Sequence, residues 1–178
     1  MTPDQIIVAL LWLTMLTPHN RVRTDPEYAT EITNAVVAAQ NDKGIPAQLL
    51  ISVMYHESSF NSKAIGKLGE IGLGQVHGLA KRGCDLSTAR GQVECSASWL
   101  ARWKHECPGS DWHNPLVGYA SGSCHSDSER LHRKIRMRES LARRIVKYVS
   151  DKSGRGNLRI AASSRSAREN NQVQRRPL

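Results

Sequence analysis

Glu57 stands on the apolar stripe of its own helix. Leu49, Leu50, Val53 and Met54 recur at helical spacing after Pro46. Proline suits a first helical turn, because its missing N–H is one that a helix leaves unpaired anyway. Glu57 follows Leu50 by seven residues and Val53 by four, so its carboxylate falls on that same face. A carboxyl held among Leu and Val is desolvated, which raises its pKa. It also lies near the helix C-terminus, where the macrodipole opposes negative charge. Both effects favour a carboxylic acid that keeps its proton near neutral pH and can donate it.

Beyond Glu57, the glycines Gly66, Gly69, Gly72 and Gly74 crowd into residues 66–74. That density predicts a backbone with unusual dihedrals that approaches something closely. Gln75 follows and offers an amide, donor and acceptor together, to a polar ligand.

The stretch from Glu57 to Val76, ESSFNSKAIGKLGEIGLGQV, resembles the signature of the soluble lytic transglycosylase family. The family pattern runs E-S-x-F-x-P-x-A and then S-x-x-G-A-x-G-L-M-Q. The chain matches it at Glu57, Ser58, Phe60, Ala64, Gly69, Gly72, Leu73 and Gln75. It departs at Ser62, Gly66, Glu70 and Gly74, where the family usually has Pro, Ser, Ala and Met. The departure at Gly66 removes a hydroxyl that in the family contacts the sugar. Tyr119-Ala120-Ser121-Gly122 resembles the family's Y-N-A-G element, with its Asn missing.

The resemblance implies a mainly α, lysozyme-like domain that acts on peptidoglycan glycan strands without a cofactor or metal. By that analogy Glu57 protonates the oxygen between N-acetylmuramic acid and N-acetylglucosamine. It then takes a proton from the muramic 6-hydroxyl, which closes a 1,6-anhydro ring. Ser58, Gly72, Glu70, Gln75 and Tyr119 become the substrate-binding candidates: Gln75 and the glycine-rich backbone hold the sugars, and Tyr119 orients Glu57. Glu70 lies thirteen residues after Glu57. It either orders the loop or, facing the cleft, holds a water and makes the enzyme a hydrolase like goose-type lysozymes.

The elements that must position these residues read as helices. Residues 27–40 place Tyr28, Ile32, Ala35, Val36 and Ala39 on one stripe, and Asp25-Pro26-Glu27 resembles a helix start. Over 85–105, Asp85 can cap, and Val93, Ala97, Leu100 and Ala101 repeat at helical spacing. Trp99 and Trp103 beside them read as core or cleft wall. Residues 107–125 are rich in Pro, Gly and Ser and read as loop. Residues 129–149 predict a basic amphipathic helix, with Leu131, Ile135, Leu141, Ile145 and Val149 as its apolar positions. From Ser150 onward apolar groups are few, which predicts a disordered tail. The organisation that follows is an apolar N-terminal segment and linker over 1–25, a lysozyme-like domain over 26–149, and a disordered basic tail over 150–178.

A chain of 178 residues can bury one good core, and with 39% hydrophobic but only 5% aromatic residues that core is aliphatic. The net charge of +9 is uneven: residues 1–125 carry 10 Lys+Arg against 11 Asp+Glu, and residues 126–178 carry 15 against 5. The basic run lacks interleaved aromatics or a readable recognition motif. Attraction to anionic cell-wall polymers or a membrane surface therefore suits it better than nucleic acid.

The apolar run from Ile6 to Leu16 is too short to span a bilayer. It reads equally as a buried or membrane-surface helix and as an export or anchor signal. Asp4 stands where a signal would carry Lys or Arg, and no clear A-x-A site precedes Pro18. Pro18 to Pro26 reads as a linker. Cys84, Cys95, Cys107 and Cys124 most simply form two disulfides, Cys84–Cys95 and Cys107–Cys124. The alternatives are free thiols in a cytosolic protein, or a zinc site shared with His77, His105, His113 and His125, although the spacings match no common zinc pattern. Disulfides point to the periplasm, the cell exterior or a virion.

Overall fold

Helix starts in this chain are set by capping residues. Thr2 and Gln5 form a reciprocal capping box at α1 (Pro3–Thr14). Four residues, Arg21–Thr24, make the short α2. Asp25 accepts from the Tyr28 N–H at 3.0 Å and opens α3 (Pro26–Lys43), as the sequence indicated. Gly44, with φ 64°, ends α3, and Pro46 is the N-cap of α4 (Ala47–Ser58), one position outside the first turn anticipated for it. After a 3-10 turn (Gly78–Lys81) come α5 (Ala89–Glu106), α6 (His113–Ser121) and α7 (Glu129–Val173). Asp85 does not cap α5. Its carboxylate accepts from Ser87 and Thr88, and the Thr88 hydroxyl caps the helix by accepting from the Gly91 N–H at 3.0 Å.

The computed structural model describes the backbone of residues 1–173 except 16, 18, 19, 108 and 110. Side chains are described through 153, except at those positions and at 79. Among the described residues there is no strand beyond isolated bridges in the glycine-rich segment. The molecule is therefore mainly α and lysozyme-like.

The core is aliphatic and centred on α4. Leu49, Leu50, Ile51, Val53 and Met54 are all buried, and α4 packs against α1, α3 and α7. The α3 stripe of Tyr28, Ile32, Ala35, Val36 and Ala39 is buried as its spacing predicted. Beyond this layer α3 lies on α5, α5 on α6, and α6 on α7. Trp103 of α5 is buried, whereas Trp99, one turn earlier, is half-buried.

Two stretches differ from their sequence reading. Of the options open for the apolar N-terminal run, the fold displays a buried helix: Ile6, Ala9, Leu10 and Leu13 of α1 belong to the same cluster as α4 and α7. The stretch read as linker contains α2, whose Val22 is buried in that cluster. Residues 107–125 are not all loop, because residues 113–121 form α6. Pro115 sits in the first turn, where its missing N–H breaks no helical bond. Leu116 and Val117 then supply the buried face. Of the stretch 150–178 read as a disordered tail, the backbone to Val173 continues α7, while the side chains from 154 and all of 174–178 lie outside the described residues.

Both disulfides join the pairs anticipated. Cys84–Cys95 ties the segment after the 3-10 turn to α5, and Cys107–Cys124 ties the end of α5 to the segment after α6. A third tie is polar. Glu139 of α7, His113 of α6 and His132 of α7 form a hydrogen-bonded chain, at 3.0 and 2.9 Å, that ends on the Ser126 carbonyl.

Candidate active site

The chain reverses sharply just past Glu57. Ser59 and Phe60 both take left-handed dihedrals, with φ 52° and 62°. Such dihedrals cost a non-glycine residue about 1 kcal/mol each. The turn is held from two sides: Asn20 Nδ2 donates to the Ser59 carbonyl, and Tyr28 Oη donates to the Phe60 carbonyl at 2.9 Å. Phe60 itself is fully buried. Glu57 thus lies in the last turn of α4, two residues before a braced corner, and the glycine-rich segment returns across it.

That segment is held by pairing and by α5. Ile71 and Val76 exchange backbone hydrogen bonds of 3.1 Å, and the Gly72 N–H donates to Ala64 at 2.9 Å. Gly72 has φ 74°, and a Cβ there would run into the Gln92 side chain. Gln92 is buried on α5; its Oε1 accepts from the Leu73 N–H at 2.9 Å, and its Nε2 donates to Ser62 and Leu86. Close approach was foreseen for these glycines, and at Gly72 the approaching group is a glutamine of the protein itself.

A cleft of about 510 Å³ opens in front of Glu57. The glycine-rich segment lines it with Gly66, Glu70 and Gln75. Trp99 comes from α5, Tyr119 from α6, and Leu131, Lys134 and Arg138 from α7. Glu57, Glu70, Gln75 and Tyr119 are therefore brought together.

Ser58 and Gly72 are not part of this wall. Ser58 Oγ lies 2.9 Å from the Leu73 carbonyl and 3.2 Å from that of Met54, and its residue borders a separate hollow with Asn20 and Asn61. Helical geometry explains this, since neighbours in sequence point about 100° apart on a helix of 3.6 residues per turn. Here both hold the chain itself: Ser58 Oγ meets the Leu73 carbonyl, and the Gly72 N–H meets that of Ala64.

Two further expectations are modified. The Tyr119 hydroxyl does not donate to Glu57 but to the Gly74 carbonyl at 2.7 Å, so it anchors the segment opposite the acid. Gln75, itself left-handed at φ 51°, uses Nε2 on the Gly72 and Ala64 carbonyls at 3.0 and 3.3 Å. Its amide orders the loop with its donor side.

The electrostatics follow from burial. Desolvation pushes the Glu57 carboxyl above the ordinary glutamate value of 4.5, and the nearby Arg138 and Lys134 charges pull against that rise. Burial raises Tyr119 as well, and the Glu57 charge reinforces the shift. Glu70 moves the other way. Backbone amides, including the Leu68 N–H at 2.9 Å, hold its carboxylate ionised and lower it. The two acids of the cleft are thus shifted in opposite directions, Glu57 up by burial and Glu70 down by backbone hydrogen bonds.

Sequence reasoning passed over Arg138. It is only 5% exposed, and its Nη2 donates to Glu57 Oε1. The signal was present: Arg138 lies three residues after Ile135 and three before Leu141, on the apolar stripe of α7. A charge on an apolar stripe is what singled out Glu57.

A mainly helical domain whose central helix carries a half-buried carboxyl in its last turn, at a cleft, defines a lysozyme-like protein. The model of the Transglycosylase SLT domain matches residues 34–141, and the chain belongs to that family. The matched span contains Glu57, the whole glycine-rich segment, Tyr119 and Arg138. Family membership gives a lytic-transglycosylase-type function directed at peptidoglycan. No curated protein matches the chain.

Proposed function

We propose that the protein is a lytic transglycosylase that cleaves the β-1,4 bond between N-acetylmuramic acid and N-acetylglucosamine, with Glu57 as its single acid and base. The observation that carries this reading is the state of Glu57: a carboxyl at the wall of the cleft whose pKa is raised by burial. Glu57 gives its proton to the bridging oxygen. The bond from that oxygen to the muramic C1 breaks, its electron pair stays on the oxygen, and the N-acetylglucosamine strand leaves. The carbonyl oxygen of the muramic 2-acetamido group bonds to C1 and spreads the positive charge into an oxazolinium ring. Glu57, now a carboxylate, takes the proton of the 6-hydroxyl, and O6 attacks C1 as the oxazolinium opens. A 1,6-anhydro end results, and Glu57 regains its proton.

Tyr119 and Gln75 keep the glycine-rich wall in place for this chemistry. The two disulfides suit an oxidising compartment, the periplasm, the cell exterior or a virion. Among the described residues no helix is long and apolar enough to cross a membrane. The basic C-terminal third suits anionic wall polymers or a membrane surface.

Glu70 supports a second reading, because its ionised carboxylate lines the same cleft. A water held there would make the enzyme a muramidase acting on the same bond. Product mass separates the two. Anhydro ends lack one water relative to reducing ends, so mass spectrometry of digested peptidoglycan returns the lyase value if Glu57 works alone. Reducing ends would establish hydrolysis.

A further inference from the structure

Arg138 is a buried cation to which the scheme above assigns no task. The Ser52 hydroxyl donates to its carbonyl at 2.7 Å, which pins α7 to α4 within two turns of Glu57. Its side chain is 6% exposed and forms its ion pair with Glu57. Its Nε and Nη1 are buried without a hydrogen-bond partner among the described residues. A buried guanidinium is costly unless a counter-charge is close, so the pair is most stable when Glu57 is ionised. Glu57 must pass through that state in the middle of the reaction.

We infer that Arg138 is a positioning residue: it fixes which oxygen of Glu57 carries the transferable proton and holds the carboxylate until it acts as base. The inference rests on the reading of Glu57 as the acid and base. A guanidinium has donors only. Oε1, bonded to Nη2, therefore remains an acceptor, and the proton of the acid form sits on Oε2. The carboxyl group cannot swap its two oxygens without breaking that bond. When the proton leaves, a charge appears where burial disfavours it, and a cation already in place stabilises it without reorganisation.

The other charged and titratable groups around the pair act on the same balance. From α7, Lys134 also favours the carboxylate, whereas Glu70 of the glycine-rich segment opposes it. Tyr119 of α6 is neutral, because burial holds its hydroxyl protonated. His56 of α4, lowered by burial and by Arg138 itself, adds no competing positive charge at neutral pH.

The test follows the Glu57 carboxyl by ¹³C NMR titration of the full chain, with its signal assigned by its loss in Glu57→Gln. The same proteins are assayed for peptidoglycan digestion across pH. Arg138→Met, and as a second neutral variant Arg138→Gln, raise the Glu57 midpoint. They move the alkaline limb of kcat/KM upward by the same interval and lower the plateau about 10- to 100-fold through lost orientation. Arg138→Lys keeps a cation, returns the midpoint toward that of the wild type and recovers part of the plateau. A structural role alone would lower the rate equally at every pH and leave the midpoint where it was, which overturns the inference. An active wild type with a midpoint indifferent to Arg138 sinks this inference alone. A folded wild type that leaves peptidoglycan intact sinks the reading of Glu57 as well.

Discussion

Two departures from the family pattern, Gly66 for Ser and Glu70 for Ala, occupy one volume. A Cβ built on Gly66 would overlap Glu70 Oε2 and come within 2.8 Å of Gln75 Oε1. The missing side chain at 66 is thus the space in which the Glu70 carboxylate lies. Gly66→Ser must displace that carboxylate and break its 2.9 Å bond to the Leu68 N–H. Overpacking of this kind costs about 1–3 kcal/mol, and the lower half applies because the obstructing atom ends a solvent-facing side chain. The backbone adds no penalty, since Gly66 is not among the positive-φ glycines. Gly66→Ser should therefore cost about 1–2 kcal/mol, and Glu70→Ala about 1 kcal/mol or less. The double variant, which restores the family's own pair, leaves only the end of the Gln75 side chain to shift and should cost less than the sum of the two singles. Urea denaturation of the four proteins reads the coupling directly. Singles that add within about 0.5 kcal/mol would refute the shared-volume argument.

Further expectations concern stability. The bridges close separations of 11 and 17 residues, so chain-entropy reasoning assigns each about 3 kcal/mol. Cys84→Ser with Cys95→Ser, and Cys107→Ser with Cys124→Ser, should each lower the unfolding free energy by about that amount in urea, and a loss under about 1 kcal/mol would contradict it. The Glu57 carboxyl is raised above 4.5 in the folded state, chiefly by burial. Its contribution to stability is full below 4.5 and is lost as pH rises through the folded value. Glu57→Gln does not titrate, so the Tm of the wild type should fall relative to that of the variant as pH rises from 4.5 to the folded value, and the difference should level off above it; a difference independent of pH would contradict the assignment.

Much of the site was legible because its signals are local. A carboxylate on an apolar stripe and a cluster of glycines need no tertiary information, and they singled out Glu57 and Gln75, while Glu70 stayed open between ordering the loop and facing the cleft. The destinations of hydroxyl and amide groups were not legible. Ser58, Gln75 and Tyr119 spend their donors on backbone carbonyls of the glycine-rich segment, and those carbonyls reach them only in the folded chain. Gln92 was missed for the same reason: its three partners lie 6 to 30 residues away. In α6, turn-forming Pro and Gly residues outweighed a short apolar pair that only packing could reward. The apolar N-terminal run was ambiguous because burial in a core and insertion in a membrane call for the same residues. Arg138 was a different kind of miss, since the stripe rule found the acid in α4 but was not turned on the charges of α7.

The most direct measurement is digestion of purified peptidoglycan by the wild type and by folded Glu57→Gln, with the products weighed. The account predicts 1,6-anhydromuramyl ends from the wild type and a rate at least about 100-fold lower from the variant, as loss of an acid–base group requires. Glycan cleavage that persists undiminished in Glu57→Gln would contradict it.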